Sequence, residues 1–148
     1  MTTLSNAGSK FYISADLPAT EDQAGYEALT FTQVGEVTDF GTIGAETNLV
    51  SYTPVDTAIV NKRKGSVNYG TESVSVVLDE DDPGQLIFEE AAESPNLYSM
   101  KIEKSDGSAR YYQALVMGYP ETLGTVDDMI MVTVPIEVST KITKVAAP

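Results

Sequence analysis

Along residues 71–78 the side chains alternate with a period near two. Glu72, Val74, Val76 and Leu78 fall on one side, Ser73, Ser75 and Val77 on the other, and this predicts a strand. The pattern changes at Asp79. Asp82 is followed at once by Pro83 and three residues on by Gln85. An aspartate there can accept a free N–H of the first helical turn, and proline at the first helical position has no N–H to waste. Asp79, Glu80 and Asp81 add negative charge at the positive end of the helix dipole. The spacing predicts a helix over 83–93 with Asp82 as its N-cap, stopped by Ser94-Pro95-Asn96. No other stretch patterns as well for a helix.

The rest reads as strands and turns. Lys10 to Ala15 (KFYISA) is a first strand, Leu17 to Ala24 a turn-rich connection, and Tyr26 to Leu29 either a helical turn or a strand start. Phe31 to Asp39 patterns as one strand with Gly35 marking a bulge. Leu97 to Lys104 and Ala109 to Met117 flank Ser105-Asp106-Gly107-Ser108, and Asp-Gly between two strands signals a hairpin. Tyr98, Met100 and Ile102 share one face of the first of these; Ser99, Lys101 and Glu103 share the other. Val126 to Ile142 is the longest strand pattern, with Pro135 marking an edge, a bulge or a bend because it donates nothing to a ladder. Met129 and Met131 make its second face partly apolar, so a helix or another subunit should cover it. Six to eight strands and one helix define a mainly β chain, a β-sandwich or half-barrel with one flanking α-helix. Residues 1–148 form a single domain, with a flexible arm at 1–9 and a loose tail at 143–148.

Residues 41–66 form a long excursion, and loops of that length in compact domains are usually functional or disordered. Asn48 to Thr53 can pair with Thr57 to Val60 around Pro54 and Asp56. Leu49, Val50, Tyr52, Val55, Ile59 and Val60 are more apolar than a solvated loop requires. They make this stretch a candidate contact with another subunit, or else a hairpin packed on its own domain. Lys62-Arg63-Lys64 is the one basic run. It either pairs with an acidic surface, such as 79–82 of a neighbouring copy, or blunts a strand edge.

Charge narrows the function. With 22 acidic and 9 basic residues the net charge is −13, which opposes adhesion to nucleic acid, since that needs Lys and Arg to neutralise phosphate. The acidity serves solubility, or keeps DNA from sticking to a surface it passes. With no Cys and no His, disulfides, histidine metal sites and Ser-His-Asp triads have no residues to build them. The start MTTLSNAGSK lacks a basic-then-apolar pattern, and no apolar run approaches about 20 residues, so neither a secretory signal nor a membrane span is expected. Synthesis and folding are expected in the cytoplasm. The 79–82 carboxylates lack the order of a calcium loop and read better as a capping turn. Asp127 and Asp128 would point to opposite faces of a strand and cannot share acid–base work. With no phosphate loop or nucleophile elbow either, the chain reads as a non-enzyme without cofactor or metal.

Two tracts carry a family resemblance. "NYGTESVSVVLDEDDPGQ" resembles the strand-to-helix segment of bacteriophage tail tube proteins of the long, non-contractile kind. Phe31-Thr32-Gln33-Val34-Gly35-Glu36-Val37-Thr38-Asp39-Phe40-Gly41 is similar to their early strand and turn. The resemblance spans about residues 29–90; the flanks match in pattern only. Some relatives carry a further immunoglobulin-like domain, which is not expected here because the chain ends soon after its last predicted strand. The resemblance implies a structural subunit of the virion tail. Six copies would close into a ring, rings would stack into a tube, and DNA would pass through the lumen into the host without specific binding. Tail tip, terminator and tape measure proteins would be its partners, and no membrane. In such a tube strand parity makes Glu36, Thr38, Ser73 and Ser75 lumen-facing candidates, since Val37, Val74 and Val76 take the core side. The 41–66 excursion, with Leu49, Val50, Tyr52, Val55, Ile59, Val60, Lys62, Arg63 and Lys64, becomes the contact between subunits or rings. Two other readings remain: a tube subunit of a tail-like secretion or contractile device, and a monomeric acidic β-sandwich that binds sugar or calcium.

Overall fold

The computed structural model describes residues 3–148, so the first two residues of the expected 1–9 arm lie outside the described residues. The body is an antiparallel sheet built from β1 (Lys10–Ser14), β2 (Thr32–Val34), β3 (Val37–Asp39), β6 (Thr71–Val77), β7 (Tyr98–Glu103), β8 (Ala109–Val116) and β10 (Met131–Val138). Their order is β2-β1-β7-β8-β10-β6-β3. The short β9 (Glu121–Thr122) pairs with β10, and β11 (Thr143–Val145) pairs with β8. β2 and β3 stand at opposite edges of this order, yet only Gly35 and Glu36 separate them in the chain. The sheet must therefore curl until its edges meet, giving a half-barrel. Where the sequence predicts one bulged strand over 31–39, there are two strands serving two edges. Glu36 turns the chain between them in the left-handed region (φ 59°), and its carbonyl accepts from Val77 N at 2.9 Å.

The alternating apolar positions face into the curl. Phe11, Ile13, Val74, Val76, Met100, Tyr112, Val132, Val134 and Ile136 pack there in one core. Helix α2 (Pro83–Glu93) has the bounds the sequence predicts, and lays Phe88 and Ala91 against it. Phe88 stacks on Phe11 at 5.5 Å. Gly84 lets the first turn of α2 approach the sheet closely: a Cβ there would stand 2.3 Å from Gln33 O. Asp82 Oδ2 accepts from Gln85 N at 2.9 Å and also from Gly35 N at 3.0 Å. One carboxylate thus holds both the helix start and the joint between β2 and β3.

A second helix, α1 (Gln23–Glu27), lies within the expected turn-rich stretch and its ambiguous continuation. It is short and contains Gly25, so it has little intrinsic signal. Tertiary packing holds it: Tyr26 is fully buried and stacks on Tyr111 at 5.1 Å, on the face of the sheet opposite the main core.

The segment 126–142 is not one strand. Asp128 Oδ2 accepts from the N–H and the hydroxyl of Thr125, closing a turn before β10. After β10, Gln113 N donates to Thr140 Oγ1 instead of a strand carbonyl, so the chain bends there before β11 resumes along the same edge of β8. Pro135 sits just outside the stretch that pairs with β8, Ile136–Val138; its carbonyl still accepts from Met117 N at 2.9 Å, and only the bond of the N–H it lacks goes unmade on that side. The tail expected to be loose at 143–148 is tied down over Thr143–Val145, which pair with Tyr111, Arg110 and Ala109.

Candidate assembly surfaces

The excursion is a two-stranded ribbon that forms its own sheet: β4 (Glu46–Tyr52) pairs only with β5 (Asn61–Asn68). The partner strand is not Thr57 to Val60, as predicted, but the following segment, which contains Lys62-Arg63-Lys64. Periodicity could not show this. Every residue of β4, and every residue of β5 but Gly65, is exposed, so neither strand has a buried face to imprint on the sequence. At 3.2–3.4 Å per residue the ribbon reaches about 24 Å. The register pairs Leu49 with Lys64, Val50 with Arg63, Ser51 with Lys62 and Tyr52 with Asn61. Leu49, Lys62 and Lys64 therefore share one face, and Val50, Tyr52 and Arg63 the other. Val55, Ile59 and Val60 belong to the connecting tip, where Val55 is 99% exposed.

The lumen candidates separate into two groups. Thr38, Ser73 and Ser75 share the outer face of β3-β6-β10. There Thr38 Oγ1 donates to Ser75 O at 3.2 Å, Ser75 Oγ lies 3.4 Å from Thr133 Oγ1, and Thr71 Oγ1 donates to Glu137 Oε2 at 2.8 Å. The three strands contain no Lys or Arg. Glu36 does not join them by parity, because its left-handed backbone breaks the alternation that would have carried it there from Thr38.

Two side chains carry more than the sequence reading gave them. Gln85 does not close a reciprocal capping box. Its Nε2 donates to Gly35 O at 3.0 Å and Val77 O at 2.9 Å, and its Oε1 accepts from Asp79 N at 2.9 Å. It ties α2 to both sides of the closed curl. Glu72 alternates with core valines as predicted, and is fully buried. The Tyr112 hydroxyl donates to its Oε1, while Oε2 has no partner. Burial pushes this carboxyl up to about 8, against the opposing pull of the Tyr112 hydrogen bond.

Carboxylates gather at one end of the barrel. At the α2 end, a cavity of about 210 Å³ is lined by Asp79, Glu80, Glu89 and Glu121 around Tyr119. Burial, and then the charges of Glu89, Glu121 and Asp82, push the Tyr119 hydroxyl to about 12. Among the described residues no group of three or more carboxylates is arranged to hold a metal ion. The opposite mouth opens between the 40–44 loop, β7, β8 and β11.

The fold is that of a phage tail tube subunit. Over 97% of this chain and 80% of the other, it matches the SPP1 tail tube structure determined by solid-state NMR and cryo-EM, with a TM-score of 0.66 at 14% identity. It also matches the Hcp1 protein of E. coli EAEC 042, with a TM-score of 0.47 at 10% identity over 95% of this chain and 98% of that one. Hcp1 from Salmonella typhimurium matches with a TM-score of 0.41 at 12% identity over 88% and 82%. No protein-family model matches the sequence. No curated protein matches it either.

Proposed function

We propose that this chain is the structural subunit of a tail tube of the long, non-contractile kind, closing into hexameric rings that stack around a DNA-conducting lumen in the virion. The ribbon of β4 and β5 carries this reading. It leaves Leu49, Val50, Tyr52, Val55, Ile59 and Val60 uncovered on a body that matches a tube subunit in fold. A lone two-stranded hairpin is marginal in water, so a ribbon of this length gains its stability from a neighbour. Its two faces and tip can together bury several hundred Å², enough to matter at an interface. The hydroxyl-rich outer face of β3-β6-β10 is the natural lumen surface, since a wall without cations gives DNA phosphates nothing to hold. Tail tip, terminator and tape measure proteins are the partners this role requires.

The test is removal of the ribbon. Residues 46–68, both strands and the tip, replaced by Gly-Ser should leave a folded subunit that forms no tubes in negative-stain electron microscopy, while the intact chain forms them when concentrated. Long tubes from the deleted variant would refute the ribbon's role. An intact chain that stays monomeric at high concentration would refute the tube reading.

A further inference from the structure

The mouth opposite α2 is a basic groove on an acidic protein. Its volume is about 360 Å³. Arg110, Lys144 and Lys104 line it together with Phe40, Ile102 and Ile142, and no carboxylate does. The first two cations are placed by the ladder. Arg110 alternates with the core residues Tyr112, Ala114 and Val116, so it points to the inner side of β8, and Lys144 is its cross-strand partner on β11. Arg110 uses Nη1 on Ala109 O at 3.1 Å. The same three cations, now with Asp106 beside Lys104, also line an adjoining cavity of about 500 Å³ next to the chain's C-terminal residues.

The register places this mouth and the acidic tract at opposite ends of the molecule. Asp79 to Asp82 follow the end of β6, where Val77 pairs with Met131. Arg110 pairs with Lys144 at the other end of β8, and Ala114 pairs with Val138 between them. Counting along β8 and then β10 gives about eleven residues, or about 35 Å at the rise of a strand. The ribbon with Lys62, Arg63 and Lys64 also leaves from the mouth's end, since Gly44 before β4 lies against Gly70 before β6. Lys62, Arg63 and Lys64 thus belong to the same end as Lys104, Arg110 and Lys144.

We propose that the Lys104–Arg110–Lys144 mouth receives the acidic tract Asp79-Glu80-Asp81-Asp82 of a second copy of this chain, making a head-to-tail contact along the strand direction. This rests on the tube reading and names the contact that joins one layer to the next. A segment that presents carboxylates beside Leu78 and Leu86 fits a groove with cations at its rim and Phe40, Ile102 and Ile142 in its wall. A surface joined to a different surface cannot satisfy itself by two-fold pairing, so it continues from copy to copy, and along the strand direction, where no rotation closes a ring, it propagates as a filament. Sign complementarity also fixes polarity, because mouth against mouth or tract against tract would set like charges together.

Charge exchange tests the contact. R110E with K144E reverses the mouth, and E80K with D81K reverses the tract while sparing Asp82, which holds the α2 start. All variants are checked for folding by circular dichroism and for assembly by sedimentation and negative-stain microscopy. Each double variant alone should raise the concentration needed for tubes by more than about a hundredfold, the scale of a like-charge contact. The quadruple variant, and an equal mixture of the two doubles, should both recover tubes. If the intact chain forms tubes and either double variant forms them as readily, the contact is refuted and the tube reading stands. Single rings with no tubes from the doubles, rescued on mixing, support it. A mouth variant that fails to fold is replaced by K144E alone, at an exposed position, with rescue by D81K required. Absence of rescue refutes the pairing.

Discussion

Glu72 should make this protein less stable as pH rises, against the trend set by its other shifted carboxylates. Its side chain is fully buried on the inner face of β6, with the Tyr112 hydroxyl on one oxygen and nothing on the other. A carboxylate so placed has lost its water and gained one hydrogen bond, and burial wins: its pKa rises from 4.5 to about 8. Between those values the folded chain keeps a proton that the unfolded chain has released. The stabilisation is complete below about 4.5 and is lost as pH climbs through about 8. Each pH unit in that window is worth about 1.4 kcal/mol, so the whole span costs about 5 kcal/mol, a large share of a domain's usual 5–15. Tyr112 is the titratable group in direct contact, and burial first, then the Glu72 carboxylate beside it, drives its own hydroxyl well above the ordinary range. Near pH 7 the pair is therefore neutral on both sides.

Glu72→Gln keeps an oxygen for the Tyr112 hydroxyl and puts a neutral NH2 where the unpartnered oxygen stands. Urea unfolding midpoints between pH 5 and 9 should fall for the unaltered chain and stay nearly level for the variant, which becomes the more stable of the two toward pH 9. Tyr112→Phe removes the one bond that favours the charged form and should move the decline to higher pH. Equal slopes for the unaltered chain and Glu72→Gln would show that this carboxyl does not titrate in the folded core. Below pH 4 the trend reverses for both chains. Hydrogen bonds to backbone and hydroxyl groups hold Asp22, Asp106 and Asp128 below their ordinary 3.8, and that support is lost as pH falls.

Asp82→Ala should lower stability by about 0.5–2 kcal/mol in urea unfolding, toward the upper end because Gly35 N loses its partner as well; an unchanged midpoint would remove the cap. Raising salt, or adding divalent cations, should increase light scattering as tubes form, and scattering that falls would count against repulsion as the barrier. Ser73→Lys, at an exposed position on the proposed lumen wall, should still permit tubes but slow DNA passage in ejection assays by adding phosphate attraction; normal passage would place that face elsewhere.

What could be read from the sequence was what local chemistry specifies. Asp82, Pro83 and Gln85 define the start of α2 within one turn of chain, and Asp106-Gly107 defines the β7–β8 hairpin, where Gly107 takes φ 92°. The misses are tertiary. Gly35 and Glu36 look like a bulge in one strand, and only the partners of Thr32–Val34 and Val37–Asp39, at opposite sheet edges, show that they are a joint. Asn61–Asn68 has no alternation because neither of its faces is buried, so its pairing with β4 leaves no trace in composition. α1 is held by Tyr26 on Tyr111, residues far apart in the chain. For the surfaces, sequence could nominate the ribbon's apolar residues but not divide them between two faces. It gave no hint that Arg110 and Lys144 meet, since each is a lone cation until β11 folds back on β8.

A net charge of −13 and self-association look incompatible until distance is considered. Repulsion between whole acidic subunits acts across tens of ångströms, and at ~0.1 M salt it is screened beyond about 10 Å. In the proposed contact the attraction acts at hydrogen-bond distance, between cations in the barrel mouth and carboxylates pressed against them, where solvent ions have little room. Added salt therefore weakens the opposing force before it weakens the joining one, and the balance shifts toward tubes. The lumen wall needs the reverse arrangement. As proposed, that wall is the outer face of β3, β6 and β10, which carry no Lys or Arg and so would give phosphate nothing to hold. On the proposed arrangement, cations gathered at one end of the strands and absent from the outer face of these three would let one acidic chain attract its own copies along the axis while offering DNA no hold.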